Sequence, residues 1–292
     1  KRYPMPDRST TWISQGFETL IANQTAILDY DIVIIGSGYG GAIAASELAG
    51  LTKHNVPLRI CVLERGNEYL SGMFPSNTSD LPKHIHISGS KQPKNQNQQD
   101  GLFDLHTSPN LNTLVANGLG GGSLINAGVM VEARPSVFDR RWPRELQHGH
   151  TESLFSGYYE STKQLLETKD NHGDNTIERH QRHQQEPLKK HQALKRLATQ
   201  DISNSTPLHF SSAPLTIALT EKANNAGVKL QACNLCGDCA TGCNQEAKNS
   251  LDTNLLVKAF QQGVEIYTGA TVSNIQPITG TANNTADGWC IN

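Results

Sequence analysis

The hydrophobic pattern near the start of this 292-residue chain predicts a strand that leads directly into a helix. Ile32–Ile35 is a run of β-branched residues, which is typical of a fully buried parallel strand. Small apolar residues then recur at helical spacing over Ala42–Ala49. A second segment, Leu58–Leu63, is apolar except for Arg59 and predicts another strand. Strand, helix and strand in this order indicate an α/β fold with a parallel sheet.

Farther along the chain, the pattern predicts more helices and two polar segments. The predicted helices are Tyr158–Leu166, Ala193–Ala198 and Thr216–Ala226, the last of them ending at Gly227. Residues 88–101 have no apolar side chain and are predicted to form a loop. Residues 169–194 are rich in His, but irregular spacing and mixed charges favour a solvated surface over a metal site.

Charge and composition exclude some classes of partner. A formal net charge of -2 and a pI of 6.6 provide no basic surface for nucleic acid, so we expect no nucleic-acid partner. No apolar run approaches the roughly 18 residues of a membrane-spanning helix, so we expect no membrane span. The first residues, Lys1–Pro4, do not resemble a signal peptide, and we therefore expect a cytoplasmic protein.

The turn between the first strand and the first helix has the glycine spacing Gly36-x-Gly38-x-x-Gly41. Gly36 permits the tight turn, Gly38 lets the backbone approach a pyrophosphate, and Gly41 lets the helix pack closely on the strand. The helix N-terminus also offers N–H groups to phosphates. Glu64 ends the second strand 23 residues after Gly41 (64 − 41), where dinucleotide-binding folds place a ribose-binding carboxylate. The sequence therefore predicts a dinucleotide site.

A second glycine cluster lies within Asn117–Gly128, where three consecutive glycines precede Ser123. Such a run marks a backbone that passes close to another group, although a flexible loop would have the same composition. Apolar flanking residues predict that the cluster is held in the interior; they are Leu114, Val115, Leu124, Ile125, Val129, Met130 and Val131. An NAD enzyme needs the first glycine loop alone, so the second loop predicts a larger cofactor.

Together these segments resemble the N-terminal part of the glucose–methanol–choline (GMC) family of FAD-dependent oxidoreductases. The similar segments are Tyr30–Ala49, Cys61–Gly66, Asn117–Asn126 and Phe138–Pro143. The similarity is greater to the family's bacterial, cholesterol oxidase-like branch, which shares the cysteines from Cys233 onward and the triplet Ala247–Asn249. The resemblance covers most of residues 30–290.

The resemblance implies an α/β fold, with a doubly wound but incomplete Rossmann-like FAD-binding domain and part of a substrate or cap domain. The implied division is an N-terminal extension (1–29), a first FAD-binding segment (30–142), a cap segment (143–232), a cysteine-rich loop and helix (233–263) and a truncated return segment (264–292). We expect a strand over Val264–Ile275, and a hairpin that begins at Glu265 and reaches the end of the chain.

The resemblance also implies that FAD is the cofactor. Gly36, Gly38 and Gly41 would then contact the pyrophosphate, and Glu64 the adenosine ribose. The second glycine cluster would lie along the flavin half, and the backbone near Val272 would face the adenine. The full implied set is Gly36, Ser37, Gly38, Tyr39, Gly40, Gly41, Glu64, Arg65, Gly121, Gly122, Ser123, Asn126 and Val272.

The implied activity is oxidation of a small-molecule alcohol, in the most similar branch a sterol, to a carbonyl compound by hydride transfer to flavin N5. Oxygen or another electron acceptor would reoxidise the flavin. In the family a His above the flavin removes the hydroxyl proton, but none of the 11 His residues lies in a similar motif, so no catalytic residue is assigned. We expect the catalytic His in a C-terminal remainder of the same protein or in a second chain. The alternatives are an FAD-binding fragment without activity and an NAD-dependent dehydrogenase.

Four of the six cysteines have the spacing Cys233-x-x-Cys236-x-x-Cys239-x-x-x-Cys243. This spacing is typical of bacterial ferredoxin ligands, except that Asn244 stands where ferredoxins have Pro. Three interpretations stay open. The cysteines bind an iron–sulfur cluster beside the flavin, or they bind a structural zinc ion, or they are free or paired as disulfides.

Overall fold

The computed structural model describes residues 10–22, 30–89, 101–147, 152–170, 173–178, 188–199, 210–279 and 286–292. Most of the polar loop predicted at 88–101, and part of the polar surface predicted at 169–194, lie outside the described residues. No helix in the described ranges is long and apolar enough to cross a membrane.

The α-helices are α1 (Phe17–Ala22), α2 (Tyr39–Leu48), α3 (Glu152–Leu165), α4 (Lys189–Thr199) and α5 (Leu255–Gln261). The strands are β1 (Gln15–Gly16), β2 (Ile32–Ile35), β3 (Thr52–Lys53), β4 (Val56–Pro57), β5 (Ile60–Leu63), β6 (Ile85–Gly89), β7 (Phe103–Thr107), β8 (Thr113–Ala116), β9 (Lys169–Asp170), β10 (Gly173–Asp174), β11 (Lys222–Ala223), β12 (Lys229–Leu230), β13 (Glu265–Thr268), β14 (Ile275–Thr279) and β15 (Ala286–Ile291). Short 3-10 turns occur at Leu81–His84, Gly121–Ser123, Pro135–Val137, Arg144–Leu146 and Asp238–Thr241. The helices predicted around Tyr158–Leu166 and Ala193–Ala198 are confirmed as α3 and α4.

Four parallel strands form the main sheet in the order β1, β13, β5, β2. In β2 and β5, Ile32 lies opposite Ile60, and on the other side of β5, Ile266 of β13 lies opposite Val62. Helix α2 connects β2 to β5, so these first elements form a βαβ unit. The predicted α/β fold with a parallel sheet is confirmed.

The main core lies where α2 and α5 pack against this sheet. Strand β5 is buried along its whole length, because it has a paired strand on each side. Helix α2 contributes the fully buried Ala42 and Ala45, and α5 contributes Leu256 and Val257. Small side chains on α2 let it approach both the sheet and α5 closely. This packing holds the N-terminus of α2 at the carboxyl ends of β2 and β5, where such folds bind ligands.

Strand β2 is more exposed than its sequence predicts. Ile35 is 46% exposed, and the other three residues of β2 are half-buried. In the described sheet, β2 is an edge strand and has β5 as its neighbour on one side. The prediction of a parallel strand is therefore confirmed, whereas the prediction of full burial is wrong for the described part of the chain.

The predicted helix at Thr216–Ala226 is wrong. Thr216 donates its N–H to the carbonyl of Gly128 (2.7 Å), and Ala218 donates to that of Ala247 (2.6 Å). This segment therefore runs extended between two distant parts of the chain and continues into the β11–β12 hairpin. Backbone pairing with those parts satisfies groups that a helix would have satisfied internally, so tertiary contacts override the local pattern.

The prediction of a single strand at Val264–Ile275 is wrong, because β13 ends at Thr268 and β14 begins at Ile275. Strand β13 joins the main sheet, and the chain turns away from it at Gly269, which has a φ of +71°. The antiparallel hairpin is formed by β14 and β15. It therefore begins at Ile275 and not at Glu265, as the sequence had predicted.

The N-terminal segment provides β1, the edge strand of the main sheet beside β13. Strand β1 pairs with β13, with Gln15 opposite Tyr267. The buried carboxylate of Glu68 accepts the N–H groups of Ile13 (3.1 Å) and Ser14 (2.9 Å), which fixes this segment to the chain that follows β5. The domain boundaries inferred from the sequence stay predictions.

Candidate functional site

The first glycine loop joins β2 to α2 through two close backbone approaches. Gly36 has a φ of +85°, a left-handed conformation, and it donates its N–H to the carbonyl of Leu63 (2.8 Å). A Cβ added at Gly41 would lie 1.9 Å from the carbonyl oxygen of Gly36. Only glycine at position 41 therefore allows α2 to start directly against the loop.

The space above this loop is open. A Cβ added at Gly38 or Gly40 would meet no atom within 4 Å. Gly38 caps α2 without a side chain, and the first N–H groups of a helix have no intrahelical acceptors. Open space at a helix N-terminus suits an anionic group, because the helix dipole and these N–H groups attract it. The first loop therefore fits a pyrophosphate.

The second glycine loop, residues 117–126, packs directly on the first. A Cβ added at Gly121 would lie 2.8 Å from Cα of Gly38. Gly120 donates its N–H to Oγ of Ser37 (2.9 Å). The side-chain amide of Asn126 donates to the hydroxyl of Tyr39 (2.7 Å). The two loops, which are distant in sequence, therefore form one continuous surface at the start of α2.

Ser123 and Gly122 have different positions within the second loop. Ser123 is buried, and its hydroxyl donates to the carbonyl of Gly120 (2.7 Å) and accepts the N–H of Leu251 (3.1 Å). This side chain therefore holds the loop together. Gly122, by contrast, borders open space, since an added Cβ would meet nothing within 4 Å.

The flanks of the second loop are buried only in part. Leu124 is fully buried, but Leu114 is 53% exposed and Val131 is 70% exposed. The prediction that all the apolar flanking residues hold the loop in the interior is therefore wrong for Leu114, Val115, Val129 and Val131. Polar contacts to Ser123 and the approach to the first loop hold the backbone instead.

Glu64 lies buried at the carboxyl end of β5, beside the first glycine loop. Its Oε2 accepts the N–H (3.0 Å) and the hydroxyl of Ser37, and its Oε1 accepts the N–H of Gly66 (2.9 Å). Each carboxylate oxygen can accept two hydrogen bonds. Oε1 therefore keeps capacity for one further donor, such as a ribose hydroxyl.

Arg65 points away from Glu64 and forms an ion pair with Asp104. The guanidinium lies 2.5 Å from Oδ2 of Asp104, and His86 lies 3.1 Å from Oδ1 of the same carboxylate. Burial alone would raise the pKa of Asp104, but hydrogen bonds with His86 and Arg65 outweigh burial and hold it below its usual value. Sequence reasoning missed Asp104 and His86, because they lie opposite each other on the neighbouring strands β7 and β6, and local pattern does not reveal which strands pair.

Val272 follows β13 and packs with Leu63, Tyr267 and Ala270. Ala270 donates its N–H to the carbonyl of Glu64 (2.9 Å). The residue implied to face the adenine therefore lies at the same sheet edge as the residue implied to bind the ribose.

The cysteine loop, residues 233–243, lies beside the second glycine loop. The thiols of Cys233, Cys239 and Cys243 are partly buried, that of Cys236 is exposed, and all are free. Burial raises the pKa of Cys233 and Cys239. In the described part of the chain, no three His, Cys, Asp or Glu side chains are arranged to hold a metal ion. The loop supplies suitable ligands, but its thiols are not gathered around one point.

Lys248 connects these two loops and was missed as a site residue in the sequence. The ammonium group is buried and donates to the carbonyls of Leu124 (2.9 Å), Asn126 (2.5 Å) and Cys239 (2.9 Å). Burial lowers its pKa to about 8. The triplet Ala247–Asn249 was part of the family resemblance, but a lysine in a sequence gives no signal of burial, since most lysines are exposed.

Comparison with known proteins gives a consistent result. A sequence model with the description GMC oxidoreductase matches residues 30–285. The chain is 25% identical over 270 residues to a cholesterol oxidase of Acinetobacter baumannii, covering 89% of this chain and 44% of that protein. It is 26% identical over 259 residues to a cholesterol oxidase of Mycobacterium tuberculosis, covering 85% and 40% respectively. The chain spans less than half the length of these relatives.

Replacement of Gly41 by Ala is expected to destabilise the fold, whereas the same replacement at Gly40 is not. The new methyl at position 41 would overlap the carbonyl of Gly36, but at position 40 it would enter open space in a helix that favours Ala. Urea unfolding without cofactor should show a loss of about 2 kcal/mol or more for Gly41→Ala. Gly40→Ala should differ from the wild type by at most about 1 kcal/mol. Equal stability of the two variants would contradict the close approach.

Proposed function

Because the chain belongs to the GMC oxidoreductase family, we propose that it supplies the FAD site of an enzyme that oxidises an alcohol to a carbonyl compound. The N-terminal domain of this family is a Rossmann-like FAD-binding domain. The observation that carries the proposal is the packing of two glycine loops into one surface at the N-terminus of α2. Since an NAD site needs the first loop alone, this arrangement favours FAD over the NAD-dependent alternative.

In this proposal the first glycine loop binds the pyrophosphate of FAD. Gly38 and Gly40 leave room for it, and the N–H groups at the start of α2 face it. Glu64 fixes the loop through Ser37 and offers Oε1 to the adenosine ribose. Arg65 follows Glu64 directly, and its ion pair with Asp104 holds its side chain beside this part of the site.

The flavin half would lie along Gly121, Gly122 and Asn126 of the second glycine loop. Ser123 would act through the loop backbone, since its hydroxyl is already engaged. Val272 would place its backbone toward the adenine. FAD, when bound, supplies the acceptor for the hydride of the alcohol carbon, while these residues bind and orient it.

The proposal also includes a substrate and an electron acceptor. Since relatives that match most of this chain at 25–26% identity are named cholesterol oxidases, we propose a sterol or related alcohol as substrate. Oxygen or another electron acceptor would complete the cycle. The base that removes the hydroxyl proton would come from outside this chain, from a C-terminal remainder or a second chain. Without it, the chain would bind FAD and have no activity of its own. A cytoplasmic location stays a prediction.

Replacement of Gly38 by Val is expected to weaken FAD binding and to leave the fold intact. The new side chain would fill the space assigned to the pyrophosphate, but no neighbouring atom lies within 4 Å of its Cβ. The wild-type protein should show the visible bands of an oxidised flavin, and titration with FAD should give a dissociation constant at least about tenfold higher for Gly38→Val. Urea unfolding of the two apoproteins is the control. A wild-type protein that binds no FAD would refute the proposal.

Addition of an alcohol substrate without oxygen is expected to bleach the flavin. Cholesterol and simple primary or secondary alcohols are the probes, applied to the purified flavoprotein together with the segment that supplies the base. Loss of the visible flavin bands with cholesterol, and their return on admission of oxygen, would support a sterol oxidase. Bleaching that only an artificial acceptor reverses would indicate a dehydrogenase. Bound FAD that no alcohol reduces would contradict alcohol oxidation, although FAD binding would stand.

We further propose that the cysteine loop binds an iron–sulfur cluster, which would draw together thiols that are not gathered around one point in the described structure. Its four thiols have ferredoxin-like spacing, and Lys248 ties the loop to the flavin side of the site. A cluster there would supply a route for single electrons to an external acceptor. A structural zinc ion and free or paired thiols are the competing outcomes.

Iron and acid-labile sulfide analysis of the purified protein tests this proposal. Cys236→Ser should remove iron, sulfide and any absorbance beyond that of flavin, because Cys236 belongs to the four-thiol set. Cys290→Ser is the matched control, since Cys290 is also exposed but lies outside the set. Zinc without sulfide would indicate a structural site. Neither metal nor sulfide in protein purified without oxygen would reject both metal sites.

A further inference from the structure

Lys248 occupies a position that ordinary packing does not require. Its side chain is 3% exposed, and its ammonium group has three N–H donors, which three backbone carbonyls accept. Burial of a lysine is unfavourable unless such partners compensate for lost hydration. The buried ammonium group therefore needs the three carbonyls as hydrogen-bond acceptors, and it is their hydrogen-bond donor.

The three carbonyls belong to two different loops. Leu124 and Asn126 belong to the second glycine loop, and Cys239 belongs to the cysteine loop. Other hydrogen bonds of residues 234–242 in the described structure are local, for example from Cys236 to Asn234 and from Thr241 to Asp238. Lys248 is therefore the polar connection that ties the middle of the cysteine loop to the second glycine loop.

The connection continues from the second loop to the first. Asn126 accepts from Lys248 through its carbonyl, and its side-chain amide donates to the hydroxyl of Tyr39 at the start of α2. A displacement of Asn126 therefore changes contacts on both sides. The path runs from the proposed pyrophosphate site through Tyr39, Asn126 and Lys248 to Cys239.

We propose that Lys248 is a positioning residue that couples FAD binding to the conformation of the cysteine loop. The inference rests on the proposed FAD site. Binding of FAD fixes the conformation of the second glycine loop. The hydrogen bonds of Lys248 to that loop and to Cys239 then fix the backbone at Cys239 as well. Because such coupling is reciprocal, a change at the cysteine loop alters FAD affinity by the same factor.

Alkylation of the thiols with iodoacetamide, followed by mass spectrometry of each cysteine, tests the coupling. The protein is first reduced and treated with a chelator, so that all thiols are free, and is then compared with and without saturating FAD. FAD should slow alkylation of Cys239 at least about fivefold. Cys61 is fully buried in β5, so its alkylation measures global unfolding. Cys290 is exposed, so its alkylation measures the reactivity of iodoacetamide itself. Both serve as internal controls.

Lys248→Met should abolish the protection of Cys239 by FAD and raise the FAD dissociation constant about fivefold or more. Lys248→Arg, which keeps the cation, should restore part of the protection. Lys229→Met is the matched control, since Lys229 is 64% exposed and pairs with Glu221 at the surface. It should behave as the wild type.

Each outcome decides the inference. The inference is supported if FAD protects Cys239 more than Cys61 in the wild type and if this protection is lost in Lys248→Met. Equal alkylation of wild-type Cys239 with and without FAD overturns it, as does protection that persists in Lys248→Met. If Lys248→Met does not fold, the wild-type measurement and Lys248→Arg decide. The flavin titration reports separately whether FAD binds, so failure of the proposed function is distinguished from failure of the coupling.

Discussion

The structure depends on the close approach of three backbone segments at the start of α2. The carbonyl of Gly36 occupies the space that a side chain at position 41 would need, and Cα of Gly38 does the same for position 121. These contacts set the height of α2 above the sheet and bring the second loop to its N-terminus. A larger residue at either position would separate the elements, and the open surface above Gly38 would lose its shape.

A buried carboxylate fixes this arrangement to the sheet. Glu64 accepts hydrogen bonds from Ser37 and Gly66 through its side chain, while its backbone N–H donates to the carbonyl of Tyr267 (2.8 Å). One residue therefore links the first glycine loop, the end of β5 and the end of β13. Charged acceptors form the stronger hydrogen bonds, which explains how a buried Glu is tolerated at this position.

The sequence allowed prediction of features that depend on near neighbours in the chain. The βαβ unit follows from the apolar run at Ile32–Ile35, the glycine spacing and the helix after it. These features lie close together in the sequence. The extended course of Thr216–Ala226 depends on pairing with Gly128 and Ala247, which local periodicity does not contain. The role of Lys248 likewise arises only when two loops meet. Local patterns predicted the fold, whereas long-range polar contacts determined the parts that were missed.

The positions of the candidate residues also separate cofactor binding from substrate chemistry. Every residue proposed for FAD lies in the first glycine loop or the first turn of α2, just after β5, in the second glycine loop or just after β13, so one folded unit can hold the cofactor. FAD binding by these residues does not require a group that accepts a proton. The residues that choose and activate an alcohol can therefore differ among relatives without disturbing the FAD surface, provided that contacts such as Asn126 to Tyr39 are kept.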